Sequence, residues 1–93
     1  MDIRLEENQE RGRYVLDTPD GQEAYITFVR DRPNHMSITY SFVPPPFRGR
    51  GLAAGLVARA VEDARAAGTK VTPLCGYVAA EVRRHKAWQE VLG

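Results

Sequence analysis

The residues best suited to chemistry in this sequence form a short loop of arginine and glycine, Arg48-Gly49-Arg50-Gly51. The loop follows three prolines and precedes an apolar run of helical spacing. Gly49 and Gly51 leave the backbone N–H groups open to a bulky anion, and the start of the helix adds the positive end of its dipole. Arg48 and Arg50 add guanidinium groups that hydrogen-bond to phosphate. The pattern therefore predicts a phosphate-binding turn at a helix start.

Two common phosphate-binding motifs do not fit this turn. The P-loop of ATPases and GTPases needs Gly-x-x-x-x-Gly-Lys followed by Ser or Thr, and the sequence has no such run. A dinucleotide fingerprint is formally met by Gly49, Gly51 and Ala54. That fingerprint requires an acidic residue about 20 positions on, where this chain has Thr69 and Lys70. Only one further strand is predicted, so the dinucleotide interpretation fails.

Cys75 is the single cysteine of the chain and follows the last predicted strand. A thiol is nucleophilic only when ionised, and a helix start at Tyr77–Val78, or His85, would lower the pKa of Cys75. The alternative is a small buried apolar residue, as most free cysteines are. Cys75, His35 and His85 do not form a metal-ligand spacing, so we predict no metal site.

The two histidines have simple alternatives. His85 lies in the basic run Arg83-Arg84-His85-Lys86 and is either a base, a partner for Cys75, or one member of a solvated basic face. His35 stands beside a predicted turn, and the sequence suggests no partner for it.

The phosphate-binding turn is predicted to lie between a strand and a helix. Apolar residues alternate along the strand and predict one buried face, formed by Met36, Ile38, Tyr40 and Phe42. The three prolines that start at Pro44 cannot continue a ladder or a helix, so the strand ends before them. Apolar residues then recur at helical spacing and predict a helix over Leu52–Ala67, with Gly68 just past its end.

The first half of the chain predicts an antiparallel meander of three or four strands leading into the Met36 strand. Its segments are a weak first strand or lead-in at Ile3 and Leu5, a turn at Asn8–Gly12, a strand at Arg13–Leu16, a turn at Thr18–Gly21, a strand at Glu23–Arg30 and a turn at Asp31–His35.

The last part of the chain predicts a short strand and a second helix. The Lys70–Leu74 strand is expected to lie parallel to the Met36 strand after a right-handed crossover, with Pro73 at its end, where the two strands part. The second helix begins at Tyr77. The sequence leaves open whether this helix continues through Trp88 or breaks near His85.

Length and composition bound the class of protein. The 93 residues form one domain, 1–93, whose thin core makes homodimerisation a reasonable hypothesis. The net charge of +1 argues against a general nucleic-acid or membrane-surface binder. The first residues lack the features of a signal peptide, and no apolar run approaches the roughly 18 residues of a membrane span. A lone cysteine is compatible with the cytoplasm, which is the compartment we expect.

The loop and its surroundings resemble the GCN5-related N-acetyltransferases, whose pyrophosphate-binding signature is (Gln/Arg)-x-x-Gly-x-(Gly/Ala). Arg48-x-x-Gly51-x-Ala53 matches that signature. The downstream Pro73-x-Cys75-x-Tyr77-Val78 spacing, followed by His85, is similar to the very short members of the superfamily. The resemblance covers about the last 60 residues and extends to the first 35 only in strand pattern. Two departures are Phe42, where these proteins tend to carry an acidic residue, and Lys86-Ala87-Trp88 in place of Pro-Glu-Tyr.

The resemblance implies a minimal α+β fold of this superfamily and a site for acetyl-coenzyme A. It implies that the pantetheine arm pairs with the backbone near Phe42 and Val43. It further implies that the pyrophosphate binds a group of loop residues, namely Arg48, Gly49, Arg50, Gly51, Leu52 and Ala53.

The resemblance also suggests candidates for catalysis, each with an alternative. Cys75 is either an acetylated thiolate or a general acid toward the departing CoA thiolate, unless it is simply core. Tyr77 either protonates that thiolate or packs its ring in the core. His85 is a candidate base for the attacking amine, and its basic run a weaker candidate for the 3′-phosphate of CoA.

The implied function is acetyl-CoA-dependent N-acetylation of an amine of unknown identity, on a small molecule or a peptide, assisted by or passing through Cys75. The alternative is a CoA- or acyl-CoA-binding module without catalysis. Only short turns lie where larger relatives have helices that wall the acceptor site, so that groove is expected to be open, completed by a partner, or absent. RNA binding through the Arg48–Gly51 run is disfavoured because the charge is balanced and no aromatic platform surrounds the run.

Overall fold

Alternating apolar and polar residues in the first half of the chain form four antiparallel strands. A computed structural model of the protein describes residues 2–93. Successive strands are joined by short turns, as expected for a meander. The strands are β1 (Ile3–Glu7), β2 (Arg11–Asp17), β3 (Glu23–Val29) and β4 (His35–Phe42).

The second half supplies two helices and one parallel strand. A single 3₁₀ turn covers Pro45–Phe47. Then follow α1 (Leu52–Ala67), β5 (Lys70–Pro73), α2 (Gly76–Arg83) and a 3₁₀ segment at Lys86–Val91. The sheet order is β1-β2-β3-β4-β5, and β5 lies parallel to β4. The predicted α+β fold, with its meander and parallel last strand, is confirmed.

One hydrophobic core joins the helices to a single face of the sheet. The strands contribute the side chains that alternate toward this face, while α1 and α2 contribute their apolar stripes. The fully or nearly fully buried members of the core are Tyr14, Leu16, Ala24, Ile26, Phe28, Met36, Ile38, Leu56, Val57, Ala60, Val61, Ala64, Val71, Val78, Val82 and Val91.

Local hydrogen bonds mark the C-terminal end of each helix. The predicted limits of α1 are confirmed, and Gly68 adopts a left-handed conformation (φ 69°) that lets its N–H bond back to Ala64 and Arg65. The question left open for α2 is resolved, because the helix ends at Arg83. There the Val82 carbonyl accepts from the His85 N–H at 3.1 Å and from the Gln89 side-chain amide at 2.9 Å.

The first hairpin is tighter than the sequence predicts. The segment at Ile3 is a full strand, and β2 begins two residues before the predicted Arg13. The predicted turn at Asn8–Gly12 is wrong at its end, because Gly12 pairs with Glu7. The turn closes earlier because the Asn8 side chain accepts hydrogen bonds from the N–H groups of Glu10 and Arg11, at 2.8 and 3.0 Å.

The alternation predicted along β4 is wrong in its second half. Met36 and Ile38 are buried in the core, but Tyr40 is 52% exposed. Phe28 pairs with Ile38 while Thr27 pairs with Tyr40, so Thr39 is an extra residue in β4. Such a β-bulge shifts every later side chain to the opposite face of the sheet. Tyr40 and Phe42 therefore leave the core face.

The outer edge of β5 is partly covered by the end of the chain. Leu92 bridges to Val71, and the N–H of Gly93 donates to the Val71 carbonyl at 3.1 Å. Buried His35, for which the sequence suggests no partner, joins this region. Its Nδ1 lies 2.6 Å from Asp31 Oδ1, and its Nε2 lies 2.7 Å from Thr72 Oγ1.

No helix within residues 2–93 has the length and apolar character that a membrane crossing requires.

Candidate functional site

A cleft opens where β4 and β5 part. The pairing of the two strands ends at Ile38 and Pro73. The N–H groups of Leu74 and Cys75 both donate to the Ile38 carbonyl, at 2.9 and 3.2 Å. Beyond this point β4 continues to Phe42 beside β3, while within the described residues its edge toward β5 has no paired strand. The bulge bends β4, and Pro73 supplies no N–H to extend the ladder, so both sequence features favour the parting of the strands.

The cleft has a volume of about 460 Å³ and extends along the free edge of β4 to the start of α1. Tyr77, at the start of α2, also lines it. Seven of the eight residues predicted to bind the coenzyme line the cleft, namely Phe42, Val43, Arg48, Gly49, Gly51, Leu52 and Ala53.

The loop before α1 turns a run of backbone N–H groups toward the cleft. Gly49 and Gly51 both have positive φ, at 80° and 77°, which bulkier residues rarely adopt. A Cβ added at either glycine would meet no protein atom within 4 Å. Over the described chain, the N–H groups of residues 49–54 make no hydrogen bond to a backbone carbonyl. Unpaired N–H groups at the start of a helix, here one of 16 residues, are an arrangement suited to binding an anion.

The two loop arginines occupy different places. Arg48 lies at the rim of the cleft, where its Nε donates to the Val43 carbonyl at 2.8 Å and its guanidinium stands 6.0 Å from the Phe42 ring. This leaves the other guanidinium N–H groups free to meet an anion. Arg50 does not line the cleft, and its guanidinium stands 5.3 Å from the Phe47 ring.

Cys75 precedes the first residue of α2 and is half-buried beside the cleft. Its Sγ lies 3.4 Å from the hydroxyl oxygen of Ser41, which lines the cleft. Burial raises the pKa of the thiol, but the Ser41 hydroxyl and the N–H groups of Val78 and Tyr77 outweigh it, so the pKa lies below its ordinary value. The N–H groups act through their dipoles, because no side chain caps α2 with a hydrogen bond of normal length.

Tyr77 presents its side chain at the mouth of the cleft and is 43% exposed. Partial burial and the nearby Glu81 carboxylate raise the pKa of its hydroxyl, against a smaller opposite effect of Arg84. The phenol therefore keeps its proton at neutral pH and can donate it.

His85 lies past the far end of α2 from Cys75. The eight residues of α2 span about 12 Å. The imidazole stacks on Trp88, with ring centroids 3.8 Å apart, and its Nε2 lies 3.8 Å from the Glu81 carboxylate. The structure does not bring His85 to the cleft or to Cys75. Trp88 is packed against the core and anchors the segment after α2.

Sequence reasoning missed three residues of the cleft, namely Tyr40, Ser41 and Phe47. The missing signal is the bulge at Thr39, which reverses the faces of Tyr40 and Ser41. Period-two alternation alone carries no trace of an inserted residue. Among residues 2–93, no cluster of three or more His, Cys, Asp or Glu side chains is arranged to hold a metal ion.

Comparison with known proteins agrees with this geometry. A sequence profile described as GCN5-related N-acetyl-transferase matches residues 13–91. The fold is similar to the solution NMR structure of a GCN5-like protein from Staphylococcus aureus, provisionally described as an N-acetyltransferase. The TM-score is 0.77 and the identity 22%, over 99% of this chain and 87% of that one. A search of curated proteins finds no match. Because the profile covers most of the chain, including the glycine loop before α1, this protein belongs to the GCN5-related N-acetyltransferase family.

Proposed function

We propose that this protein transfers the acetyl group of acetyl-coenzyme A to an amine. The single observation that carries the proposal is the loop of residues 49–54, whose unpaired N–H groups lie in a cleft that continues along the free edge of β4. A diphosphate fits the first part, and an extended amide-containing chain fits the second, because an unpaired strand edge offers backbone donors and acceptors.

The residues present fit acetyl-coenzyme A. The N–H groups of Gly49, Gly51, Leu52 and Ala53 would hold the pyrophosphate, with Arg48 at the rim. The backbone near Phe42 and Val43 would pair with the pantetheine arm. Arg50 packs over Phe47 outside the cleft, so we assign it a supporting charge rather than a direct contact.

Acetyl-coenzyme A supplies the acetyl group as a thioester. In direct transfer, the amine nitrogen would bond to the thioester carbon as the carbon–sulfur bond to CoA breaks, and the proton lost by the nitrogen would pass to solvent or a base. We assign to Tyr77 the donation of a proton to the departing sulfur, which is supported by a raised pKa that keeps its phenol protonated at neutral pH and by its position in the lining of the cleft. Cys75 offers the other route, in which its thiolate would bond to the thioester carbon as the carbon–sulfur bond to CoA breaks, and the amine would then displace the Cys75 sulfur from the acetyl group. His85 remains a weaker candidate base, given its distance along α2 from the cleft.

The acceptor side of the cleft is open. In the described part of the chain, no helix precedes β4, so short turns alone border the sheet on that side. This favours an acceptor that brings its own bulk, such as an amine on a peptide. The same observation supports a second candidate, a CoA- or acyl-CoA-binding protein without an acceptor site.

The test has two stages. Isothermal titration measures the binding of CoA and acetyl-CoA. The proposal is refuted if neither binds. The second stage follows CoA release by chromatography, with and without small amines and peptides that carry a free amine. Chromatography is preferred because Cys75 itself would react with a thiol reagent. Binding without amine-dependent release would leave the binding-module candidate.

Cys75→Ala separates the two transfer routes. If the acetyl group passes through the thiol, this variant binds acetyl-CoA normally but loses transfer, and the wild-type chain incubated with acetyl-CoA alone gains the mass of one acetyl group. Full transfer by Cys75→Ala would establish the direct route.

A further inference from the structure

Ser41 contacts the Cys75 thiol, and the proposed transfer gives this serine no role. Ser41 Oγ lies 3.4 Å from Cys75 Sγ, a normal distance for a hydrogen bond that involves sulfur. Within the described residues, Ser41 is the one side chain that hydrogen-bonds to this sulfur. The two residues are far apart in the sequence, on β4 and at the start of α2, so the contact depends on the fold.

The β-bulge creates this contact. If β4 alternated regularly through Thr39, with no bulge, Ser41 would point to the face of the sheet opposite to Ile38. With the bulge, Ser41 pairs with buried Ile26 and shares its face. Cys75 reaches the same place because its N–H is bonded to the Ile38 carbonyl. Both side chains therefore meet where the strands part.

We propose that Ser41 is a positioning residue that holds the Cys75 thiol at the cleft and stabilises it as a thiolate. The Ser41 hydroxyl donates to the ionised sulfur, and the N–H dipoles at the start of α2 act on it from the other side. The proposal rests on the proposed function for its role in transfer. The contact and its effect on the thiol can be tested without the coenzyme.

Charged side chains do not provide another way to stabilise a thiolate at Cys75. The ionisable side chains on the elements around Cys75 include Tyr40 on β4, Lys70 on β5, and Tyr77 and Glu81 on α2. Glu81 is buried and engaged with Arg84 at 2.6 Å. None of these side chains hydrogen-bonds to the sulfur in the structure. A thiolate at Cys75 would therefore depend on neutral donors, of which the Ser41 hydroxyl is the one that mutation can remove.

The experiment measures the pH dependence of Cys75 alkylation by iodoacetamide. Since the chain has a single cysteine, the signal belongs to Cys75 alone. Three variants are compared with wild type. Ser41→Thr keeps the hydroxyl, Ser41→Val has the same shape without it, and Ser41→Ala removes it without added bulk. Ser37→Ala, a serine-to-alanine change on the same strand before the bulge, is the control. Circular dichroism establishes that each variant is folded.

Removal of the hydroxyl is expected to raise the pKa of Cys75 and slow alkylation at neutral pH by roughly three- to tenfold. Ser41→Thr and Ser37→Ala should follow the wild-type profile. The proposal is overturned if Ser41→Val and Ser41→Ala overlay on wild type, or if Ser41→Thr and Ser41→Val shift equally. In the transfer assay, Ser41→Ala should lower kcat while KM for acetyl-CoA is unchanged. Absence of transfer in the wild-type protein would count against the proposed function and leave the alkylation result standing.

Discussion

Gly51 offers a direct test of the claim that the backbone itself grips the coenzyme. Its φ of 77° is in the left-handed region, and a Cβ there would enter open space in the cleft. Substitution Gly51→Ala therefore has two consequences. The backbone strain costs about 1 kcal/mol of folding stability. The added methyl group also occupies the place where a phosphate must approach the N–H groups.

The chain supplies a matched control in Gly21. It has a φ of 83°, and a Cβ there would also meet nothing within 4 Å. It lies in the turn between β2 and β3, away from the cleft. Gly21→Ala therefore carries the same type of strain without any effect on the coenzyme site. Each variant should lower the melting temperature by roughly 4–8 °C, as expected for about 1 kcal/mol in a domain of this size.

Only Gly51→Ala should weaken CoA binding. Loss of one or two charge-assisted hydrogen bonds corresponds to an affinity decrease of about tenfold or more. Isothermal titration of CoA into both variants measures this, at a temperature where each is fully folded. If both variants bind CoA as the wild type does, the N–H groups before α1 are not the anion site. If both lose affinity equally, the loss reflects stability and not the cleft.

Three further predictions concern the fold. Gly12→Ala would place a Cβ 2.7 Å from both the Glu6 carbonyl oxygen and the Phe28 ring, so a urea titration should show a loss of about 1–3 kcal/mol with CoA affinity unchanged. His35→Phe removes the buried hydrogen bonds of the imidazole and should cost about 2 kcal/mol in the same assay. The hydrogen bond from the His35 imidazole lowers the pKa of the Asp31 carboxyl. The stabilisation from this bond is therefore complete above pH about 4, the ordinary pKa of aspartate, and is lost as the pH falls through the lowered pKa. The difference in unfolding free energy between wild type and Asp31→Asn should therefore shrink at acid pH.

The elements that follow from local chemistry could be predicted from the sequence. The limits of α1 were set by an apolar stripe and by Gly68, and both act within one turn of helix. The parallel position of β5 followed from the crossover rule. The open glycine loop before α1 was also predictable, because glycine spacing before a helix is a backbone property that a single sequence displays.

The parts that depend on contacts between distant segments could not be predicted. The bulge at Thr39 is fixed by the pairing of β3 with β4, and no residue type near it signals an insertion. Consequently the alternation assigns Tyr40 to the wrong face and does not identify Ser41. The partner of His35 escapes sequence reasoning for the same reason, because Thr72 lies 37 residues away on β5.

This division between backbone and side chains bears on how so short a chain would hold the proposed coenzyme. An anion site made of backbone N–H groups needs only glycine at two positions and a helix that follows them. Such a site therefore takes few residues away from the small hydrophobic core. Placing a reactive side chain is harder, because it requires two strands to separate at a defined residue. The one-residue insertion at Thr39 contributes to this within β4 itself, since it interrupts the alternation of the strand and brings the Ser41 hydroxyl to the Cys75 thiol.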